Sequence, residues 1–488
     1  MEEISDELLA PIEEVSEIDD TLSPDVAKAD TELPSLNHAD IAEDFLASER
    51  GKNFYRVYDV PGEPIASWSK TRWVVSPSTS LLRSSVRDYL NRLHDSLLKP
   101  EGRDYRAKLK SAPFCRDVTT EADIKLPTIK VEAFDSNPHL LGLPGGTVAD
   151  LNTGTTRPML KEDFISRRLY LTPDDRTTER WDRFLDEITL GNPELKAYLL
   201  RLCALCLTAI PFHGLFFFWG KGRNGKGVLL RLMLHILGKV FADSFRHREL
   251  AKPKNDDDRA KRSLNKLEGR RLVTVDEAVG SNLDLALLKI MSGGDTISAA
   301  RMRQDDRQFK PSHKLILPTN DKPELPNDPA FQGRTHFVPF LADYRDPKKQ
   351  DLNLDATLQA EAPGILTQLI RLCPDVIANG LQAPKIVLDA TSEMLEENDL
   401  AKQFQEDMLI DLSGKNISFD AMETAVESWL GGGTSGGLTV RSHGQNKQAV
   451  QIMAELKARY AYKRLRPEGK RGKQIYCFLN VAFADEGS

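Results

Sequence analysis

Runs of apolar residues and apolar residues at helical spacing alternate through the middle of the chain. Residues 216–219 are all aromatic and predict a buried strand, and the apolar spacing over 228–237 predicts a helix that ends at Gly238. Residues 272–275 and 314–319 are two further apolar runs that predict strands. Strands that alternate with a helix in this way predict an α/β core over residues 201–345.

The pattern before this core is mixed. Helical spacing surrounds residues 41–45, Trp68 and Trp73 mark a predicted hairpin, and the pattern over residues 84–110 predicts helix rich in arginine and lysine. A further helical stretch covers 182–207. We therefore expect an α+β domain over residues 41–200.

The pattern after the core is mainly helical. Helical segments at 363–377 and 392–408 predict a lid over residues 346–414. Residues 415–488 then read as helix, glycine cluster, helix and two strands, which is a winged-helix pattern. Residues 441–473 hold ten lysines and arginines against two glutamates. This basic surface is either a solvated face or a DNA contact, for which the candidates are Arg464, Arg466, Lys470 and Arg471.

Charge is unevenly distributed along the 488 residues, whose formal net charge is −7. Residues 1–50 carry 16 acidic and 2 basic side chains, whereas residues 51–488 carry 57 acidic and 64 basic ones. Residues 1–40 are therefore predicted to be a disordered acidic tail, either simply solvated or docking a basic partner or mimicking DNA. The remainder is mildly basic, which suits a phosphate-backbone partner.

Composition also excludes several classes. No run of about 18 apolar residues predicts a membrane span, and the acidic N-terminus is unlike a signal peptide, so we expect no membrane partner and a cytoplasmic location. Five cysteines without a second pair to match Cys203-x-x-Cys206 argue against a disulfide framework or a zinc site. Core packing is the better interpretation of that pair.

Residues 220–227 read Gly-Lys-Gly-Arg-Asn-Gly-Lys-Gly between the predicted strand and helix. Backbone N–H groups of such a loop and the helix N-terminus would bind phosphates, and Lys226 would reach the β- and γ-oxygens. Gly227 stands where this motif has serine or threonine, so the usual hydroxyl ligand of Mg²⁺ is missing. A chance glycine-rich turn is the alternative. The predicted nucleotide-binding residues are Gly220, Gly222, Asn224, Gly225, Lys226 and Gly227.

Polar residues that suit phosphoryl transfer follow in order. Asp276 and Glu277 end the second predicted strand; the first would hold Mg²⁺ and the second would polarise the attacking water. Asn320 ends the third strand and would orient water or sense the γ-phosphate. Arg334 precedes an apolar run and would act as an arginine finger on a neighbouring subunit's nucleotide.

The stretch from Lys226 to Phe340 resembles a superfamily 3 helicase of the poxvirus, phage and plasmid primase–helicase family. The most specific motifs are residues 293–301 and 309–314, and the resemblance extends upstream to residues 133–138 and 150–154. It implies an AAA+-like P-loop ATPase that forms a hexamer, uses ATP and Mg²⁺, and moves 3′ to 5′ on single-stranded DNA. It also implies that the domain over residues 41–200 is the family's accessory domain, for which we expect a collar or scaffold role. The chain departs from the family at Gly227 and at Gly333, which replaces the first of two paired arginines.

Residues 296–302 and 307–309 have strand character around the polar turn Gln304-Asp305-Asp306. In the resembled family a hairpin at this place projects into the ring's pore, and its cations would grip phosphates without reading sequence. The alternative is a solvated charged hairpin. The candidate DNA contacts are Arg301, Arg303, Arg307, Lys310, His313 and Lys314.

Together these features predict a replicative DNA helicase of a phage, plasmid or mobile element, acting on single-stranded and forked DNA in a host cytoplasm. No pair of metal-binding acids marks a primase domain, so a separate primase or polymerase is an expected partner. Two alternatives stay open. One is an origin-binding initiator or helicase loader without processive unwinding, and the other is a non-hydrolysing assembly factor whose Gly227 site binds nucleotide.

Overall fold

The computed structural model describes residues 37–96, 103–250, 264–276, 283–301, 304–320, 322–323, 329–397, 399–431, 443–465 and 474–484. These residues form two compact units. The first contains the described residues up to Asn320 together with Phe340–Pro384, and the second contains those of Asp321–Pro339 and Lys385–Ser488. The division falls within the predicted lid over 346–414 and places its first helix in the first unit.

Helices and strands alternate along the described chain. The helices are α1 His38–Ala47, α2 Ser80–Ser96, α3 Arg103–Leu109, α4 Ala112–Ile124, α5 Glu179–Ile188, α6 Pro193–Leu205, α7 Lys226–Phe241, α8 His247–Leu250, α9 Leu285–Ser292, α10 Pro329–Gln332, α11 Leu354–Asn379, α12 Lys385–Glu397, α13 Leu400–Met408, α14 Phe419–Leu430 and α15 His443–Arg459. The strands are β1 Phe54–Val57, β2 Ile65–Trp68, β3 Trp73–Ser76, β4 Thr128–Ile129, β5 Leu140–Leu143, β6 Thr147–Asp150, β7 Thr155–Pro158, β8 Leu215–Trp219, β9 Ala242–Phe245, β10 Leu272–Val275, β11 Ile297–Arg301, β12 Gln304–Phe309, β13 Lys314–Thr319, β14 Thr335–Pro339, β15 Leu409–Ser418, β16 Tyr462–Leu465 and β17 Ile475–Phe483.

The first unit begins with a helical layer. Asn37 caps α1 by accepting a hydrogen bond from the backbone N–H of Ala39, which satisfies one of the free N–H groups of the first turn. Ile41 and Phe45 lie on the buried face of α1, which packs against α4. The helical pattern predicted around residues 41–45 is therefore confirmed.

A small sheet with the strand order β3-β2-β1-β4 lies beside these helices. Trp68 pairs with Trp73 across the antiparallel β2 and β3, as the predicted hairpin requires. The Trp73 side chain is buried, stacks on Phe164 with ring centroids 5.7 Å apart, and donates from Nε1 to the Lys161 carbonyl over 2.9 Å. Burial of this ring together with a satisfied N–H makes it the centre of the sheet's packing.

Four parallel strands form the centre of the first unit, in the order β8, β13, β10, β9. Their side chains are almost all buried, and aromatic residues fill β8. Strands covered on both faces read as unbroken apolar runs, which is why the sequence predicts three of them directly. Because the four strands are parallel, their carboxyl ends meet at one edge of the sheet.

Helix α5 joins the accessory region to the core. The Trp181 backbone N–H donates to Glu361 over 2.8 Å, and its indole Nε1 donates to Gln368 over 2.9 Å, so α5 is fixed to α11. The helical stretch predicted over 182–207 is divided at Leu190 and Gly191, which both have positive φ. A second link comes from Arg271, whose buried guanidinium donates to the Leu140 carbonyl of β5 over 2.6 Å.

The second unit has the element order α12, α13, β15, α14, α15, β16, β17, after the short segment that holds β14. The three strands β15, β17 and β16 form an antiparallel sheet in that order. Phe404, Val426 and Leu456 belong to its core. The two predicted helices and the final strand pair are present, and β15 is an additional strand that the sequence pattern did not predict.

Composition predicts that the chain has no membrane span and no zinc or disulfide site. None of the helices there combines the length and the hydrophobicity that a membrane span requires. Cys203 and Cys206 are both buried, which confirms core packing, and no group of three potential metal-ligating side chains occurs among the described residues.

Candidate nucleotide site

A glycine-rich loop connects β8 to α7. Gly222 and Gly225 have φ of +78° and +90°, a left-handed backbone that glycine adopts with little strain. A Cβ on Gly225 would lie 2.3 Å from Cγ2 of Ile188 in α5. The loop therefore needs glycine at position 225 for its backbone angle and for its close approach to α5.

Asn224 holds the loop from inside. Its side chain is 3% exposed, and Nδ2 donates to the Phe340 carbonyl over 3.1 Å. A Cβ on Gly220 would collide with both of these groups, at 2.2 Å and 2.3 Å. The first glycine of the loop thus makes room for the asparagine that fixes its path.

Lys226 lies at the first turn of α7 with its side chain 6% exposed. Its Nζ donates to the carbonyls of Gly220 and Thr319, the latter over 2.9 Å, and to Oδ1 of Asn320 over 3.0 Å. A buried ammonium requires such acceptors because it has left water. The result is a positive charge held between the loop and the end of β13.

A cavity of about 500 Å³ opens between this loop and the ends of the parallel strands. Asp276 and Asn320, which follow β10 and β13, line it together with residues 222–227. The structure thus brings together the predicted lysine, the first predicted acid and the predicted amide. Gly220 lies behind the lining, where its carbonyl accepts from Lys226.

The hydroxyl groups of Ser244 and Thr274, which the sequence analysis did not identify, lie beside Asp276. Ser244 of β9 donates from Oγ to Asp276 Oδ1 over 3.0 Å, and its register partner Thr274 also lines the cavity. Oγ1 of Thr274 is buried, with no hydrogen-bond partner in the described structure. Carboxylate and hydroxyl oxygens are the ligands that Mg²⁺ prefers, so this donor set fits that ion.

Gly227 lies close to Arg231, a further cation that the sequence analysis did not identify. A Cβ on Gly227 would lie 3.1 Å from Nη1 of Arg231, and Arg231 lines the cavity. The Arg231 guanidinium pairs with Asp355 of α11, with Nη2 2.8 Å from Oδ2. The i, i+4 spacing on one helix was the signal available in the sequence.

Two predicted catalytic residues cannot be compared with this cavity. Glu277 lies outside the described residues. Arg334 belongs to the second compact unit, where it is half-buried and its backbone N–H donates to the Phe331 carbonyl over 3.2 Å. Their roles remain predictions.

The predicted hairpin is present as β11 paired antiparallel with β12. The position of the turn differs from the prediction, because residues 304–306 belong to β12 and Gln304 pairs with Arg301. Lys310 is exposed just after β12. Arg301 and Arg307 are described by their backbones, and Arg303 lies outside the described residues.

His313 and Lys314 are corrected as DNA-contacting residues. Their side chains are 3% and 0% exposed, so they cannot reach a nucleic acid in this fold. Nζ of Lys314 donates to the Thr208 carbonyl over 2.7 Å and to the Ser312 carbonyl over 3.1 Å. Burial lowers the pKa of Lys314 to about 7 and that of His313 to about 4.

This burial predicts an unusual pH dependence of stability. Because the pKa of Lys314 is about 7 in the folded chain and about 10.4 when unfolded, the unfolded state binds more protons between these values. The free energy of unfolding should therefore rise with pH from about 7 to 10, an increase that Lys314→Met should reduce. Urea denaturation at several pH values measures it, with Lys310→Met as the exposed control. Equal slopes for wild type and Lys314→Met would contradict the assignment.

Of the four DNA contacts predicted near the C-terminus, the structure describes Arg464. Arg464 lies exposed in β16, with its guanidinium 4.7 Å from the ring centre of Tyr476, and Tyr476 stacks on Tyr462 at 5.0 Å. Arg466, Lys470 and Arg471 lie outside the described residues. An exposed surface of aromatic rings and cations is consistent with nucleic-acid binding.

Two regions of the chain match protein-family models. Residues 43–190 match the family described as D5 N terminal like, and residues 218–334 match a family of unknown function, DUF5906. The second region contains the glycine loop, Asp276 and Asn320.

Helicase-named proteins of large viruses are similar to this chain. L207/L206 of Acanthamoeba polyphaga mimivirus is 25% identical over 441 residues, which cover 80% of this chain and 45% of that protein. Protein 121R of Invertebrate iridescent virus 3 is 26% identical over 222 residues, covering 43% and 23%. The chain thus spans less than half the length of these curated relatives. The solved apo structure of the NrS-1 C-terminal region aligns with a TM-score of 0.48 and 11% identity, covering 91% of this chain and 99% of that one.

The parallel strands and their flanking helices define a mixed α/β protein. The matches to the family models and to the viral proteins cover the residues that carry the sequence motifs, so they restrict the chain to a smaller group of proteins within this fold class. The matches to the D5 N terminal like model and to the helicase-named viral proteins confirm the predicted resemblance to the phage and viral primase–helicase family.

Proposed function

We propose that the chain is an ATP-dependent replicative DNA helicase that moves as a hexameric ring on single-stranded DNA. The observation that carries this proposal is the cavity shared by Lys226, Asp276 and Asn320. These three residues come from separate elements, and phosphoryl transfer uses a cation, a metal-binding acid and a polar group in this combination. The order β8, β13, β10, β9 supports an AAA+-like P-loop core, because it sets the three elements side by side.

The loop would bind the phosphates of ATP. Backbone N–H groups at the N-terminus of α7 and the Lys226 ammonium supply positive charge to the cavity. Asp276 would hold Mg²⁺, with Ser244 and Thr274 beside it. The ion, when bound, would neutralise charge on the phosphate oxygens.

Hydrolysis would then need a water aligned with the γ-phosphorus. Asn320 would orient this water and Glu277 would accept its proton, while the bond between the γ-phosphorus and the bridging oxygen breaks and ADP leaves. Arg334 would stabilise the developing charge at the neighbouring subunit's nucleotide, which requires a ring or another assembly of several copies.

The hairpin would carry the motion to DNA. Strands β11 and β12 lie in sequence between β10, which leads to Asp276, and β13, which leads to Asn320. A change at either carboxyl end could therefore shift the hairpin, and Lys310 with Arg301, Arg303 and Arg307 would hold phosphates in the pore. Other proteins would supply primase or polymerase activity.

ATP turnover by the full chain, measured with and without single-stranded DNA, tests this proposal. We expect DNA to stimulate hydrolysis, and forked DNA to be unwound only when ATP is present. Absence of turnover under both conditions would overturn the helicase proposal and favour the assembly-factor alternative.

Lys310→Ala should lower the DNA-stimulated rate severalfold and leave the rate without DNA unchanged, because the exposed lysine lies outside the cavity. Lys385→Ala is the matched control, since that lysine is also exposed but pairs with Asp389 on α12. An unchanged response to DNA in Lys310→Ala would remove this lysine from the DNA contacts.

A second candidate function is origin recognition without processive unwinding. The second unit places α13, β15, α14, α15, β16 and β17 in a winged-helix order, and Arg464 and Tyr476 are exposed on its sheet. Slow ATP turnover together with sequence-specific duplex binding, lost in Arg464→Ala, would favour this function over the helicase.

A further inference from the structure

Arg231 lines the cavity together with Arg223 and Lys226, and its guanidinium lies close to the position that a side chain on Gly227 would occupy. A Cβ at position 227 would lie 3.1 Å from Nη1 of Arg231, closer than ordinary van der Waals contact. Serine and threonine both have this Cβ, so either residue would require the guanidinium to move. The glycine therefore leaves room for the guanidinium.

The ion pair of Arg231 with Asp355 does not bury the charge. The Arg231 side chain is 56% exposed and that of Asp355 45% exposed. Exposed pairs of this kind contribute little to stability, because water screens them and both side chains lose freedom. A ligand with a higher negative charge could thus compete for the guanidinium.

We propose that Arg231 binds the terminal phosphates of the bound nucleoside triphosphate, at the place where related loops present a metal-binding hydroxyl. This inference rests on the proposed nucleotide-binding function of the cavity. A guanidinium can donate two parallel hydrogen bonds to the oxygens of one phosphate. On binding the nucleotide, Arg231 would exchange its ion pair with Asp355 for these hydrogen bonds. Because Lys226 and Arg231 flank Gly227 on one helix, they provide two cations on the same side of the cavity.

The chemistry of the pair also predicts a preference among nucleotides. A contact to the terminal phosphate is present with ATP and absent with ADP. Loss of a hydrogen bond between charged groups weakens binding by about tenfold to a hundredfold. Arg231→Ala should therefore weaken ATP binding by this factor and ADP binding much less.

Equilibrium titration of the full chain with fluorescent ATP and ADP analogues, with Mg²⁺ and with EDTA, tests the proposal. Lys226→Ala reports whether the cavity binds nucleotide at all. Arg371→Ala is the matched control, because Arg371 is an exposed arginine that pairs with Asp175 at 2.7 Å, away from this cavity. Thermal unfolding of each variant verifies that it is folded.

Asp355→Ala supplies a second, independent measurement. Removing the competing acceptor should tighten ATP binding, and this gain should shrink when Arg231 is also replaced. The Gly227→Ser, Arg231→Ala double variant should regain part of the lost affinity only with Mg²⁺, because the hydroxyl then has room to act as a ligand.

The outcomes separate the two proposals. Wild-type ATP affinity in Arg231→Ala, with binding lost in Lys226→Ala, would overturn the role of Arg231 and leave the nucleotide site standing. Equal losses of ATP and ADP affinity in Arg231→Ala would also overturn it. No binding by the wild-type chain would overturn the proposed function itself.

Discussion

Lys226→Ala is expected to abolish ATP hydrolysis, lowering kcat by about a hundredfold to a thousandfold or more. The side chain is buried at the edge of the cavity and supplies a full positive charge beside the loop. Nζ lies within 3.0 Å of the Thr319 carbonyl and of Oδ1 of Asn320, so these contacts hold the charge at the end of β13. Charge on the γ-phosphoryl group would then develop without its main protein cation.

Steady-state phosphate release measures this effect, and the same loop offers a control. Lys221 is exposed and does not line the cavity, so Lys221→Ala changes the loop's charge equally while leaving the buried ammonium in place. We expect near-normal turnover in Lys221→Ala. A Lys226→Ala variant that hydrolyses ATP at the wild-type rate would refute the site assignment.

Arg334→Ala is expected to lower ATP hydrolysis by about a thousandfold, because an arginine finger stabilises charge in the transition state. If this arginine acts on the neighbouring subunit's nucleotide, each complete site needs the cavity of one subunit and Arg334 of the next. Subunits with Arg334→Ala keep an intact cavity, and subunits with Lys226→Ala keep an intact arginine. Mixing the two before assembly should create some complete sites.

Random mixing in equal amounts makes about one quarter of the interfaces complete in a ring with head-to-tail contacts. Hydrolysis well above that of either variant alone is therefore the expected result. The control mixes Arg334→Ala with a double variant that also lacks Lys226, because no complete interface can form. Equal rates in the two mixtures would show that Arg334 does not act on a neighbouring subunit.

Much of the candidate site could be predicted because parallel strands impose a simple rule. Asp276 and Asn320 follow short apolar runs, which are typical of buried strands, and parallel strands bring their carboxyl ends to one edge. Lys226 is fixed by the glycine spacing. The sequence did not predict Arg231 as a site residue, because it is one polar residue in a mainly apolar helical pattern. Its partner Asp355 lies 124 residues away in the sequence.

The errors have physical causes too. His313 and Lys314 belong to a basic run, and basic residues are rarely buried. Lys314 begins a central strand, and the carbonyl and hydroxyl of Thr208 accept from its ammonium; that partnership is invisible in sequence. Strand β15 was missed because six of its ten residues are exposed in succession, so no apolar alternation marks it.

The contact of Ile188 with the glycine loop bears on how this protein could be dissected. A fragment starting at residue 201, the predicted edge of the ATPase domain, would lack α5 and so expose the underside of Gly225. The fragment would also lose the hydrogen bonds of Trp181 to α11 and the hydrogen bond of Arg271 to the Leu140 carbonyl of β5. We therefore expect that a fragment which folds and binds nucleotide by itself must begin before Leu140, so that it keeps both sets of contacts.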